Sequence, residues 1–175
     1  QVEVGSYATS YIPTSGASAT RNQELCNNAT PVINSEEGTL YAEISALAND
    51  GTNRQISISD GTSSQRVYFG FKVTDNEIIM SSNNVASGSY NSVTHVLNNA
   101  TLKNKFAFKY KENNFTLFVN GVKIGVVTSG VVPIDLSVLD FDNGGGSSPF
   151  FGNTKDLKYY PKALADVQLQ DLTTI

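Results

Sequence analysis

From residue 39 onward, apolar and polar residues alternate along short segments. In residues 39–47, Leu40, Ala42, Ile44 and Ala46 share one side of an extended chain, and polar or aromatic residues take the other. Successive side chains of a β-strand point to opposite faces, so this period of two predicts a strand with one buried face.

The same alternation recurs in further segments that are separated by turn residues. Asp60-Gly61 and Asn120-Gly121 are typical hairpin turns, because these residues tolerate a positive φ. The pattern therefore predicts an all-β fold, a two-sheet antiparallel β-sandwich of jelly-roll type. The residues expected to face inward are Ile56 and Ile58; Val67, Phe69, Phe71 and Val73; Phe106, Phe108 and Tyr110; Phe115, Leu117 and Val119; and Val122, Ile124 and Val126.

One segment near the end has helical spacing instead. Pro161 precedes a stretch in which Leu164, Val167 and Leu172 recur at roughly helical intervals. We expect one or two turns of helix, packed at the edge of the sandwich. Residues 144–148, Gly-Gly-Gly-Ser-Ser, are typical of a flexible loop.

Composition and charge narrow the classes of partner. The 175 residues fit one domain, only 16% are charged, and the formal net charge is −4. Without a Lys/Arg cluster there is no basic surface for nucleic acid, and the short apolar runs predict no membrane insertion. The single Cys26 excludes an internal disulfide framework and is expected to be a small buried side chain.

Two segments resemble known modules. Residues 1–26, QVEVGSYATSYIPTSGASATRNQELC, resemble a linker of phage tail-fibre and secreted marine-bacterial proteins. FTLFVNGVKIGVV and FFGNTKDLKYYPKALADVQLQDLTTI resemble the closing part of laminin G-like modules, which belong to the concanavalin A-like sandwiches. The resemblance implies a linker or the end of a preceding domain at 1–25 and a laminin G-like sandwich at 26–175.

The setting of such modules is also implied by the resemblance. It places the chain outside the cell or on a virion surface, in a larger modular protein that forms homo-oligomers through neighbouring domains. The chain begins at Gln1 without a signal-peptide pattern, which suggests a piece or a processed product. Because the superfamily contains lectins, lyases, glycosidases and spacers, the fold does not fix the function.

Catalytic motifs of this superfamily are absent from the sequence. Glycosidases of this fold carry several carboxylates on one strand face, whereas Glu36 and Glu37 are adjacent and point to opposite faces. The Arg, Gln, His and Tyr motifs of alginate-lyase-like members are missing, and the chain has one histidine, His95. We therefore predict no catalytic residues, with a lyase or hydrolase kept as an alternative.

Acidic residues at the entrance to the glycine-rich loop suggest two interpretations. Asp140, Asp142 and Asn143 offer oxygen ligands of the kind that Ca²⁺ prefers. Their alternative role is to form Asx turns at the start of the loop. The sequence thus requires no cofactor, and Ca²⁺ at these three residues is the candidate metal.

Carbohydrate binding is the function that the sequence favours. Tyr41, Glu43, Arg66, Tyr68 and Lys109 fall at outward positions of predicted strands and combine rings, cations and an acid. Aromatic rings pack on sugar rings, and the cations suit an acidic or sulfated glycan. We predict a non-catalytic, lectin-like module that binds a polysaccharide or cell-surface glycan for adhesion or targeting. A structural spacer without ligand is the remaining alternative.

Overall fold

The computed structural model describes residues 31–175 and, before them, residues 11, 13 and 15–19. Within them the chain forms ten strands, one short 3-10 turn at Val85–Ser87 and one α-helix. The elements are β1 (Glu37–Ala46), β2 (Arg54–Ser59), β3 (Gln65–Phe71), β4 (Glu77–Asn84), β5 (Ser89–Val96), β6 (Asn104–Lys111), β7 (Phe115–Val119), β8 (Val122–Val127), β9 (Val138–Asp140), β10 (Gly152–Tyr160) and α1 (Asp166–Thr173).

The strands form two antiparallel sheets of five. Sheet A has the order β10-β1-β6-β7-β8, and sheet B has the order β5-β4-β3-β2-β9. Strands β2 to β5 run as a meander in sheet B, and β6 to β8 run as a meander in sheet A. The chain then crosses to sheet B for β9 and returns to sheet A, where β10 pairs with β1. The predicted two-sheet sandwich is confirmed.

The core lies between the two sheets and contains most of the residues predicted from the alternation. Leu40, Ile44, Ile56 and Ile58 are fully buried in it. Phe69 of sheet B and Phe106 of sheet A stack with their ring centroids 6.5 Å apart. This stack joins the two layers, since each ring projects from the inner face of its own sheet.

The hairpin between β7 and β8 shows both a success and an error of the sequence prediction. Asn120 and Gly121 have φ values of 47° and 79°, as a type I′ turn requires. A bulge then shifts the register of β7 against β8 between Leu117 and Phe118. The extra residue moves Val126 out of the core, where it is 43% exposed, while Ile124 still packs inward. The prediction for Val122 was also wrong, since this residue is 59% exposed where the edge strand β8 begins, beside the turn.

The predictions for Val73 and the helix also need correction. Val73 is 58% exposed because β3 ends at Phe71 and residues 73–76 form the turn. Helix α1 packs on the outer face of sheet A rather than at the sandwich edge. Its fully buried residues are Leu169 and Thr173, whereas Val167 is 62% exposed, because α1 begins at Asp166 and turns Val167 to solvent.

Some expectations fall outside the part of the chain that the structure describes. Cys26 and the domain boundary at 25/26 both lie in the segment that precedes residue 31. Among the described residues, no helix has the length and apolar character needed to cross a membrane.

Candidate functional site

The structure divides the five predicted binding residues between the two outer faces of the sandwich. Tyr41 and Glu43 of β1 and Lys109 of β6 lie on the outer face of sheet A, opposite the core-facing side chains of their strands. Arg66 and Tyr68 of β3 lie on the outer face of sheet B. The two sets therefore do not form one surface.

On sheet A, the three residues take part in packing. Tyr41 is 3% exposed and packs with Leu169 of helix α1. Nζ of Lys109 lies 2.6 Å from Oδ1 of Asp166 in the first turn of that helix. Glu43 accepts a hydrogen bond of 2.8 Å from Lys155 on β10. These contacts hold the helix and the β10 edge in place.

The charges on this face are mutually compensated. Lys109 and Lys123 both donate hydrogen bonds to Asp166, and these bonds lower the pKa of the Asp166 carboxyl. Burial, followed by the nearby Asp156 and Glu43, raises the pKa of the Tyr41 hydroxyl. The carboxylate of Asp166 thus stays ionised beside the two ammonium groups.

On the outer face of sheet B, polar and aromatic side chains form a row across three of its five strands, β3, β4 and β5. Arg66 is the ladder partner of Asn83, and Asn83 is the partner of Tyr90. We call these three residues the Arg66 row. Adjacent strands are about 4.8 Å apart, so the row spans about 10 Å. Tyr90 is 61% exposed and offers its ring to solvent.

The Arg66 guanidinium is held in one orientation by its neighbours. Nη1 donates to the backbone carbonyl of Asn143 at 2.7 Å and to Oε1 of Gln55 at 3.3 Å. Cζ lies 4.3 Å from the centroid of the Tyr68 ring. Tyr68 is only 7% exposed, and its ring stabilises the guanidinium through this cation–π contact.

Arg66 keeps its charge without a carboxylate partner among residues 31–175. Burial lowers the pKa of Arg66, but an arginine side chain remains protonated in proteins. Seven ion pairs join lysine or Arg54 to acidic side chains in the described part of the chain, and Arg66 belongs to none of them. An oriented, unpaired guanidinium is suited to bind an anionic group.

A second row lies parallel to the first and is displaced from it by two residues along each strand. Its members are joined by the ladders of β9, β2, β3, β4 and β5, and we call it the Tyr68 row. Small hydroxyl side chains flank the central ring, and an acid stands at one end. In order across the sheet, the row contains Asp140, Ser57, Tyr68, Ser81 and Ser92.

The glycine-rich loop borders both rows and is built from side-chain turns. Oδ1 of Asp142 accepts a 2.6 Å hydrogen bond from the Gly144 N–H. Oδ1 of Asn143 accepts from the N–H groups of Gly145 and Ser147. The predicted Asx-type hydrogen bonds are thus present at Asp142 and Asn143, but not at Asp140. Within the described residues no three His, Cys, Asp or Glu side chains group as metal ligands, and Ca²⁺ at Asp140, Asp142 and Asn143 stays a prediction.

His95 lies away from both rows. It is the ladder partner of Ile78, which faces the core, so the His95 side chain is on the inner side of the edge strand β5. Arg66 and Tyr68 are on the opposite side of the same sheet. The structure therefore does not bring His95, Tyr68 and Arg66 into one groove, as a lyase site would require.

Sequence reasoning missed Asn83 and Tyr90. The available signal was the alternation in Ser89–Val96, which places Tyr90 outward with Ser92 and Thr94. Asn83 needed the register of β4 against β3, because only the pairing shows that it stands beside Arg66. Local alternation gives the face of a residue, but cross-strand neighbours depend on register.

No protein-family model and no curated protein matches this chain. Solved structures do match. The carbohydrate-binding module CBM40 of the Ruminococcus gnavus IT-sialidase, bound to alpha2,3 sialyllactose, has 18% identity and a TM-score of 0.68, over 81% of this chain and 84% of that one. The K499G mutant of NanB sialidase from Streptococcus pneumoniae has 14% identity and a TM-score of 0.67, over 81% of this chain and 24% of that one.

A third similar structure is the leech intramolecular trans-sialidase, with 17% identity and a TM-score of 0.62 over 81% of this chain. The match covers 24% of that enzyme, so the chain corresponds to a small part of the whole sialidase. Together, these similarities and the sheet topology establish a jelly-roll β-sandwich of the concanavalin A-like type.

Proposed function

We propose that this domain is a non-catalytic carbohydrate-binding module that holds an acidic glycan on the outer face of sheet B. Arg66 binds the anionic group of the glycan, Asn83 hydrogen-bonds to an adjacent polar group, and the exposed ring of Tyr90 packs against a sugar ring. Tyr68 supports the guanidinium. In this proposal Tyr41, Glu43 and Lys109 contribute to stability rather than to binding.

The observation that carries the proposal is the guanidinium of Arg66, which has no carboxylate partner among residues 31–175. It is half-buried, stacked on Tyr68 and fixed by the carbonyl of Asn143, so little side-chain entropy remains to be lost on binding. Leaving a half-buried cation unpaired costs stability, and an anionic ligand would offset that cost. An exposed lysine lacks such supports, so its side chain would lose more entropy on binding.

The similar structures also support the proposal that the domain binds an acidic glycan. The Ruminococcus gnavus module is bound to sialyllactose, a glycan that carries a carboxylate. By analogy, the module works outside the cell in a larger modular protein and directs that protein to a polysaccharide or cell-surface glycan. A phage tail or receptor-binding fibre at a virion surface is the setting that fits the resemblance of residues 1–26.

A glycan array followed by calorimetry tests the proposal. We expect selective binding of acidic over neutral glycans. Arg66→Ala should weaken binding by about 10- to 100-fold, since a hydrogen bond to a charged group is worth about 1.5–3 kcal/mol. Lys103→Ala is the matched control, because Lys103 is an exposed cation outside both rows and should leave the affinity unchanged.

The same experiment separates the alternatives. Equal binding of neutral and acidic glycans, or an Arg66→Ala variant with full affinity, would contradict the proposal. Binding lost in EDTA would favour a Ca²⁺ site at Asp140, Asp142 and Asn143. Release of shortened or unsaturated sugars would favour a lyase or hydrolase, and a chain that binds no glycan would favour the spacer.

A further inference from the structure

Asp140 stands at the end of the Tyr68 row with an unusual environment for a carboxylate. It is the last residue of β9 and is partly buried, and within residues 31–175 no hydrogen bond or ion pair reaches its side chain. The Asp140 carboxylate therefore lacks, among the described residues, the hydrogen-bond donors that normally accompany a buried carboxylate.

The neighbouring Ser57 provides a second, independent observation. Ser57 is the ladder partner of Asp140 on one side and of Tyr68 on the other, so its side chain points to the same face. The residue is 0% exposed, and its Oγ has no hydrogen-bond partner among the described residues. An unmatched buried hydroxyl is destabilising, which makes such groups rare in native proteins.

Rotation about a single side-chain bond can redirect the Ser57 hydroxyl. Directly opposed residues of an antiparallel pair have Cβ atoms about 4.5–5.5 Å apart. Rotation about the one Cα–Cβ bond of serine therefore brings Oγ toward the Asp140 carboxylate or toward a group bound beside it. Ser57 and Asp140 together form a site for a ligand that donates hydrogen bonds.

The separation of this site from Arg66 sets the length of the ligand. From Arg66 to Asp140 the path crosses two strand spacings and one two-residue step, a distance of about 12 Å. One sugar ring is too short to contact both groups. Two linked rings lying obliquely across Tyr68 match the distance.

We propose that Asp140, positioned with Ser57, recognises the hydroxyl groups of a neutral sugar that is linked to the acidic sugar held by Arg66. This inference rests on the proposed function and adds a second subsite of opposite polarity to it. The carboxylate accepts hydrogen bonds from two neighbouring sugar hydroxyls, and Ser57 donates to the carboxylate or to the sugar. A second acidic sugar at this position would be repelled by Asp140 and Asp142.

A pair of probes of different length tests the second subsite. 3′-Sialyllactose carries an acidic sugar linked to neutral sugars, and N-acetylneuraminic acid is the acidic sugar alone; if the array selects another acidic oligosaccharide, it and its terminal acidic sugar replace this pair. We expect Asp140→Asn to weaken binding of the oligosaccharide by about tenfold and binding of the monosaccharide by less than about twofold.

Two further variants distinguish a loss of ligand contacts from a loss of stability. Ser57→Ala removes an unmatched hydroxyl, so we expect an unchanged or higher melting temperature together with weaker oligosaccharide binding. Asp75→Asn removes an exposed acid in the β3–β4 turn and should change neither affinity.

Each outcome bears on a different part of the account. Oligosaccharide binding that Arg66→Ala abolishes and Asp140→Asn leaves unchanged would overturn the second subsite alone. Equal losses for both probes in Asp140→Asn would also overturn it, because the residue would then act on the acidic sugar. A wild-type domain that binds no acidic glycan would overturn the proposed function and this subsite with it.

Discussion

The two outer faces of the sandwich carry similar side chains in different circumstances. The outer face of sheet A has Tyr41, Lys109 and Glu43, and helix α1 and β10 bury or pair all three. The outer face of sheet B has Arg66 and Asp140, which lack an ion-pair partner among the described residues. A ring, a cation and an acid therefore stabilise the fold on one face, whereas the cation and the acid on the other face are the groups that we propose bind a ligand.

This difference arises from the C-terminal segment. Helix α1 contacts strands β6, β7 and β8 of sheet A and places Leu169 against Tyr41, Ala107 and Phe118. Outward-facing residues in an antiparallel sheet are solvated only when no other element covers them. Helix α1 therefore removes Tyr41 and Lys109 from the surface, whereas Arg66 and Tyr90 on sheet B keep access to solvent.

The largest expected effect on stability comes from weakening the packing of helix α1 on sheet A. Leu169→Ala should lower the free energy of unfolding by about 2–4 kcal/mol, as for other fully buried leucines. Chemical denaturation measures the change, and glycan affinity at low temperature should be unaffected. Val167→Ala, at a residue that is 62% exposed on the same helix, is the control and should change stability by less than about 0.5 kcal/mol. A loss of affinity in folded Leu169→Ala would show that the two faces are not independent.

The ion pairs of the covered face predict a smaller, pH-dependent effect. Asp166→Asn leaves the ammonium of Lys109 without its carboxylate, and we expect a loss of about 1 kcal/mol, or a melting temperature lower by about 2–4 °C. Asp171→Asn, an exposed acid on the same helix, should have little effect.

The pH dependence of that loss follows from the direction of the Asp166 pKa. Lys109 and Lys123 lower this pKa in the folded state, so the stabilisation is complete above the unfolded value of about 3.9. It disappears as the pH falls through the folded-state pKa. Melting curves of wild type and Asp166→Asn should therefore differ by a constant amount from pH 5 to 8 and converge in acid. A difference that grew in acid would contradict this assignment.

The smallest effect is expected at the exposed ring of the Arg66 row. Tyr90→Ala should weaken glycan binding by a few fold, since an aromatic contact contributes about 0.5–1.5 kcal/mol beyond its buried area. Stability should hardly change, because Tyr90 is 61% exposed. Calorimetric titration beside Tyr11→Ala, an exposed tyrosine outside the sandwich strands, separates a specific contact from a general loss of aromatic surface.

Much of the fold was predictable because it depends on local alternation. The inward residues of β1, β2, β6 and β7 follow directly from the period of two, and the Asn120-Gly121 turn follows from its tolerance of positive φ. The bulge in β8 was not predictable, since an extra residue in one strand leaves the apolar pattern intact and is visible only in the pairing.

The candidate site was predictable only in part. Arg66 and Tyr68 were identified as outward residues, but their separation from Tyr41 and Lys109 depends on strand order, which alternation does not contain. Asn83 and Ser57 join the site through cross-strand register. The helical spacing of Leu164 and Leu172 indicated a helix without indicating which sheet it covers.

The most direct test of the account is to map where the glycan binds. Backbone amide chemical shifts of the ¹⁵N-labelled domain, recorded during titration with an acidic oligosaccharide, report on both faces in one experiment. We predict saturable shifts at Arg66, Asn83 and Tyr90 and none at Tyr41, Lys109 and Asp166. Shifts confined to the second set would show that the glycan binds at the covered face of sheet A and would contradict the assignment of the site to sheet B.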